Sequence, residues 1–471
     1  MAADLSKSNS NSKPLHIVIF PWLAIGHLRP FLNLSVSLAG RGHLISFIST
    51  PANLRRSVHI PPRFSRRIRL IDFPLPPVDH LPPGAESSMD VPHVKQQLLK
   101  VALDRLRPEI RSFLNEAQPK PDWIVYDYAS HWLPEMAKEL GISTAYFSLF
   151  TAAFMAFLGP PSVLMTRERT TAEDFTVLPE WIPFPSGMVF RLHEMSKNIE
   201  KDADGNDYSS GTSDSLRFGL SIDGSDIVII RSYEEFEPEW FHLLNKLYQK
   251  PVIPIGALPM EDNDDDNNGS DEDWQEIKQW LDEHKPSSVV YVALGTEAVL
   301  SLEEVRELAH GLEQCGLPFF WVINRDHLVN LLPEGFVDRA AGRGIVRAKW
   351  APQIKILEHP TIGGFVTHCG WNSATEALRF GRALILLPLM NDQGLNARLL
   401  AEKGVGIEIP RDGQDGAFTR DGVSATVRLA MACDEGRTVR DNARKMKDLF
   451  GDQKRTEKYI SKLIKQMVEK E

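Results

Sequence analysis

Short runs of uninterrupted apolar residues alternate along the chain with longer stretches in which apolar residues recur every three or four positions. Leu15–Trp22 (LHIVIFPW) is the first run. A segment apolar at every position fits a strand covered on both faces of a parallel sheet. A Gly26-His27 loop follows, then Leu28–Ala39 with the spacing of an amphipathic helix, which Gly40 and Gly42 end; His43–Ser49 predicts the next strand. Asp122–Tyr126 (DWIVY) and Ser225–Arg231 (SDIVIIR) repeat the strand pattern. Strands alternating with helices predict an α/β, doubly wound sheet.

Leu258–Asp273 (LPMEDNDDDNNGSDED) interrupts this rhythm. Its acidic, Asn-rich composition repels itself and offers no surface to bury, which predicts a linker. The rhythm then restarts with Ser288–Leu294 (strand), Leu302–Gln314 (helix) and Pro318–Ile323 (strand). A chain of 471 residues exceeds what one core supports, so two domains are expected. The division is a tail over 1–14, an N-terminal domain over 15–250, a linker over 251–275 and a C-terminal domain over 276–471. The sequence assigns no docking site to the charged helix Lys454–Glu471, and packing back on the N-terminal domain is the alternative kept for it.

Composition excludes several classes. A net charge of −10 with no basic block argues against nucleic acid. Cys315, Cys369 and Cys433 are odd in number and widely spaced, as expected of reduced thiols in a cytoplasmic protein. The polar N-terminus lacks the apolar core of a signal peptide. Leu140–Thr166 carries no charge, but Pro160-Pro161 breaks it. It therefore predicts a buried strand and a pocket-lining helix, with no membrane span expected.

The stretch Trp350–Gln393 carries the candidate chemistry. His368 closes the strand Ile362–Thr367, and Cys369-Gly370-Trp371-Asn372-Ser373 leads into a helix expected over Ala374–Phe380. Unpaired N–H groups at a helix start form an anion site, and Gly370 admits close backbone approach. Ser373-Ala-Thr-Glu376 also reads as a capping box that needs no ligand. Gly295-Thr296 closes another strand and could reach the same phosphates, while the Trp350 indole could stack a base.

These residues resemble the signature box of plant family 1 UDP-dependent glycosyltransferases; Trp350–Gln393 spans the 44 residues usual for that box, and the likeness extends over nearly the whole chain. The resemblance implies a GT-B fold, two facing Rossmann-like doubly wound domains with a cleft between them. It implies that Trp350 stacks uracil and that Ala351 and Gln353 contact uracil and ribose. His368, Asn372, Ser373 and Thr296 would hold the diphosphate, Glu376 the ribose hydroxyls, and Trp371, Asp392 and Gln393 the sugar. Gln393 resembles members that use UDP-glucose. Asn391-Asp392-Gln393-Gly394-Leu395-Asn396 departs from the commoner variant with proline after glutamine. It is similar to the subgroup that adds a sugar to a sugar already carried by a flavonoid, diterpenoid or triterpenoid, some members of which transfer rhamnose.

Inverting transfer needs a base for the acceptor hydroxyl, and a histidine titrates near physiological pH. His27 lies beyond the carboxyl end of the first strand, where open α/β sheets hold their sites, and Asp127 ends another strand. A loop histidine by itself is usually only solvated; the resemblance implies that His27 and Asp127 are the catalytic dyad. Trp22, Trp132, Phe150, Phe154 and Met155 are candidates for the acceptor pocket. Asp262-Asn263-Asp264 matches a metal-binding D-x-D pattern but falls in the acidic linker. Asp202-Ala-Asp204-Gly205 is similar to a calcium loop, with Ser213 where glutamate is required. The reading is a cytoplasmic, monomeric, metal-independent enzyme that needs no cofactor beyond its UDP-sugar co-substrate and acts on a small-molecule glycoside. A UDP-sugar epimerase and a non-catalytic UDP-sugar-binding protein are the alternatives.

Overall fold

A computed structural model describes residues 13–166, 168–197, 209–258, 271–295, 297, 300–323 and 329–470. Thr296, the 202–205 motif, the D-x-D motif at 262–264, most of the expected tail (1–12) and residues 259–270 of the acidic linker lie outside the described residues.

Two parallel sheets organise the molecule. The first comprises β1 (His16–Phe20), β2 (Leu44–Ser49), β3 (Ile68–Asp72), β4 (Trp123–Tyr126), β5 (Ser143–Ser148), β6 (Ile227–Ile230) and β7 (Val252–Pro254). The second comprises β8 (Val289–Ala293), β9 (Phe319–Val322), β10 (Gly344–Arg347), β11 (Ile362–Thr367), β12 (Ala383–Leu386) and β13 (Gly406–Glu408). Their orders are β3-β2-β1-β4-β5-β6-β7 and β10-β9-β8-β11-β12-β13. The strand order therefore reverses between β1 and β4 in one sheet and between β8 and β11 in the other. Crevices at such switch points, beyond the carboxyl ends of the strands, are where open sheets bind ligands.

The apolar runs become central strands because helices cover both faces: every residue of β1, β4, β6 and β8 is buried. Edge strands β3 and β10 are partly exposed and lack such runs, so no unbroken apolar stretch marks them. The uncharged stretch from Leu140 resolves into β5 and two short helices, Ala152–Leu158 and Pro161–Thr166. Thr151 Oγ1 caps the first by accepting from Phe154 N at 3.0 Å. Gly159, at φ 109°, ends it. No described helix is long and apolar enough to cross a membrane.

The last helix, Gln453–Glu469, returns to the first sheet. Its Ile460, Leu463 and Met467 join the core built around β1, β2 and β4, each such burial contributing about 2 kcal/mol. Trp123 Nε1 donates to the Met467 carbonyl at 3.2 Å, and Arg41 pairs with Glu457.

Candidate active site

The helix expected from Leu28 starts three residues earlier, at Ile25, so His27 stands in its first turn and not in a loop. The loop between strand and helix is short, and the single Gly26 does not prevent the helix from starting. His27 Nδ1 lies 2.6 Å from Asp127 Oδ2. Asp127 follows β4 and is buried; its Oδ1 accepts from Tyr128 N at 2.7 Å and its Oδ2 from Trp22 N at 3.3 Å. These bonds fix the carboxylate, which in turn fixes the ring and leaves Nε2 as its other polar atom. Burial disfavours the charged imidazole, but the charge and hydrogen bond of Asp127, with the fields of Glu297 and Asp392, outweigh it and raise the His27 pKa. Glu297 and Asp392 both belong to the half built on the second sheet, so the dyad faces that half.

Across the cleft, the strand-to-helix turn after β11 holds Cys369 in the left-handed region at φ 67°. The following helix is Trp371–Arg379 with Gly370 at its N-cap, and no side chain caps it. Ser373 and Glu376 therefore lie within the helix, and the capping-box reading of this pair is overturned. Cys369-Gly370 makes the turn by itself, so the helix needs no serine to begin. Glu376 Oε2 instead accepts from Gln353 Nε2 at 2.6 Å, and Ser373 Oγ lies 3.2 Å from the same nitrogen. Gln353 opens the helix Gln353–Glu358, three residues after the half-buried Trp350 and two after the buried Ala351. One amide thus joins the Trp350 loop to the Trp371 helix.

His368 is neutral at physiological pH, burial pushing its pKa down to about 4. Its Nδ1 is buried without a hydrogen-bond partner, a condition that native structures rarely leave without a purpose. Glycine on both sides makes room for the ring. A Cβ at Gly370 would stand 2.5 Å from Nε2, and one at Gly295, itself at φ 79°, would stand 2.9 Å from the ring.

Farther along, Asp392 precedes the helix Gln393–Glu402. Burial above all raises the Asp392 pKa, although Asn396 Nδ2 donates to its Oδ2 at 2.6 Å. Gln393 Oε1 accepts from Leu389 N and Met390 N at 2.9 and 3.0 Å. The structure thus gathers His27, Asp127 and Asp392 at one cleft, with the His368 turn and the Gln353–Glu376 contact along its second wall.

Several expected contacts differ. The Trp371 indole is 4% exposed, donates to the Arg231 carbonyl at 2.6 Å and packs beside Phe236 and Phe450. It seals the interface between the halves instead of reaching a sugar, which leaves only its backbone near the cleft. Trp132 and Met155 are 2% and 0% exposed; Trp132 Nε1 donates to Asp104 at 3.0 Å. Both are core, as are the buried Trp22 and Phe154. Phe150 remains half-buried, with its ring edge-on to His27 at 6.2 Å. Ser213, the expected stand-in for a calcium-loop glutamate, caps the helix Asp214–Gly224. Among the described residues, no group of three His, Cys, Asp or Glu gathers as if to hold a metal ion.

Comparison with known proteins identifies the family. The family profile described as "UDP-glucoronosyl and UDP-glucosyl transferase" matches residues 246–453. UDP-glycosyltransferase 91C1 of Arabidopsis thaliana is 53% identical over 96% of this chain and 96% of its own. The chain belongs to the UDP-glycosyltransferases. Soyasaponin III rhamnosyltransferase of Glycine max is 38% identical over 97% of this chain and 96% of its own. The solved structure of Phytolacca americana UGT2 complexed with UDP-2-fluoro-glucose and pterostilbene matches with a TM-score of 0.73 at 27% identity. That match covers 96% of this chain and 99% of UGT2, and the two parallel sheets are those of a GT-B fold.

Some residues that shape this UDP-glycosyltransferase carry no local sequence signal. Arg231, at the end of β6, is buried and reaches the Asn372 side-chain oxygen. Burial lowers its pKa to about 10 against the opposing field of Glu376. Ser88 Oγ donates to Glu297 Oε1 at 2.7 Å across the cleft. Glu194 meets Arg398 at 2.8 Å. Each partnership joins the two halves, and only the tertiary fold creates it. The single hint in sequence was a charged residue closing an apolar strand, as Arg231 does.

Proposed function

We propose that this UDP-glycosyltransferase transfers a hexose, glucose in the first place, with inversion onto a hydroxyl of a specialised-metabolite glycoside, and that His27 is the base. The carrying observation is the 2.6 Å contact between His27 and the buried Asp127 at the β1/β4 switch point. With Nδ1–H donated to Asp127, Nε2 takes the proton from the acceptor hydroxyl as its oxygen attacks the anomeric carbon. The bond from that carbon to the diphosphate oxygen breaks, and its electron pair leaves with UDP. Asp127 holds the ring's tautomer and stabilises the imidazolium that forms.

In this reading residues 15–250 bind the acceptor and residues 276–471 the donor. Trp350 stacks uracil, Ala351 and Gln353 contact uracil and ribose, and Glu376 takes the ribose hydroxyls. His368, Asn372, Ser373 and Thr296 receive the diphosphate with the N–H groups of the Trp371 helix, whose positive end favours the leaving charge. Asp392 and Gln393 address the sugar. Phe150 forms the acceptor wall beside His27.

An acceptor that already bears a sugar is supported by the Asp392-Gln393-Gly394 sequence and by the name of the soyasaponin relative, which also makes rhamnose the second donor to test. The enzyme acts as a cytoplasmic monomer without a metal. The unpaired thiols of Cys315, Cys369 and Cys433 suit a reducing compartment, and one chain supplies both walls of the cleft. The test is a screen of UDP-glucose and UDP-rhamnose against flavonoid, steviol and triterpenoid glycosides and their aglycones, read by mass spectrometry. Transfer to glycosides over aglycones is expected; exclusive transfer to aglycones would contradict the acceptor reading.

A further inference from the structure

Gly394 follows Gln393 where the commoner signature has proline, and the fold gives a reason for the small residue. A Cβ at Gly394 would stand 2.5 Å from Glu194 Oε2. Glu194 belongs to the other half, in the short helix Leu192–Lys197. Its Oε1 accepts from Arg398 Nη2 at 2.8 Å, and its Oε2 from Arg191 N at 2.8 Å. Arg398 Nη1 in turn donates to the Gly394 carbonyl at 2.5 Å. Both side chains of the pair are 8% exposed. Other charges surround it: Glu408 lies 3.7 Å from Arg398 and 2.7 Å from Arg191, and Arg411 feels the field of Glu194.

The turn thus braced is the one carrying Asp392 and Gln393. From within its own half it is held by the Gln393 bonds to Leu389 and Met390 and by Asn396, which spans Asp392 and the Cys369 carbonyl at 3.0 Å. From the opposite half the Glu194–Arg398 pair clamps the same turn. A buried pair of this kind adds little net stability.

We propose that Glu194 and Arg398, closing over Gly394, are positioning residues for the donor sugar, so that the acceptor half helps to fix the turn that reads it. This rests on the reading that Asp392 and Gln393 face the sugar. UDP has no sugar, so the clamp should matter to UDP-sugar and not to UDP.

The experiment compares the KM for UDP-glucose with the inhibition constant of UDP, using the full-length enzyme. Glu194→Gln leaves Arg398 with only the more distant Glu408 carboxylate, 3.7 Å away, as counter-charge and risks the fold, so the double variant Glu194→Gln/Arg398→Met is made beside it. The expected result is a KM raised about tenfold with the UDP constant nearly unchanged, the mark of lost binding to the sugar alone. Gly394→Ala should raise KM in the parent enzyme and have no further effect once Glu194→Ala has removed the clash, a non-additivity that reports direct contact. If KM and the UDP constant move together, or neither moves, the proposal is overturned. Failure of the underlying donor-sugar reading has a separate signature: Asp392→Asn would then leave the UDP-glucose KM unchanged.

Discussion

Asn372 Nδ2 donates to the Gly26 carbonyl at 3.1 Å, which ties the first turn of the Trp371 helix to the residue preceding His27. Arg231 holds the oxygen of the same amide, and the Trp371 indole holds the Arg231 carbonyl. The wall expected to carry the phosphates and the turn carrying His27 are therefore registered against each other by side chains of both halves.

Asn372→Asp replaces the donor with a carboxylate oxygen opposite a carbonyl, while keeping a partner for Arg231. Turnover should fall tenfold or more, because the bond that registers the two turns is lost and the carboxylate also faces the diphosphate proposed to rest there. Gly26→Ala should be nearly silent, because its Cβ would lie 3.7 Å from Asn372 Nδ2, an ordinary contact. Steady-state kinetics on both variants checks the pair.

The raised His27 pKa fixes the direction of the pH profile. With neutral His27 as the proposed base, kcat/KM should fall as pH falls through a value above the ordinary 6.5 or so of histidine. Glu297→Gln keeps the hydrogen bond from Ser88 but removes a charge that raises this pKa, so the inflection should move to lower pH with turnover otherwise retained. Asp127→Asn should lower both the inflection and turnover, since it also disturbs the tautomer.

The glycines around His368 should tolerate no Cβ. Gly370→Ala is expected to cost about 1–3 kcal/mol through overpacking against the ring. Adding His368→Ala should restore the melting temperature without restoring UDP affinity. Calorimetry of unfolding and of UDP binding separates the two effects.

Because Glu376 lies inside its helix and caps nothing, Glu376→Ala should cost no more than about 1.5–3 kcal/mol of stability, the value of its bond to Gln353. UDP affinity should fall tenfold or more, as expected for lost charge-assisted bonds to ribose hydroxyls. A large stability loss with unchanged UDP affinity would contradict the role.

The central strands were legible because burial on both faces leaves an unbroken apolar run, as in HIVIF and WIVY. The sequence pattern puts the start of the Trp371 helix three residues late because Ser373 and Glu376 imitate a cap, whereas the left-handed Cys369 makes the real turn. Trp132 and Met155 passed for pocket residues since an aromatic or a methionine looks the same in sequence whether it lines a cavity or fills a core. The dyad was legible from its strand ends and the family resemblance together. Arg231, Glu194 and Glu297 were not, because each acquires its partner only when the two halves face each other.

The most direct measurement is the turnover of His27→Ala beside its affinity for UDP. Turnover should be lower by about 10²–10⁴-fold, the worth of a positioned general base, with UDP bound as tightly as by the parent enzyme. Turnover matching the parent enzyme would contradict it.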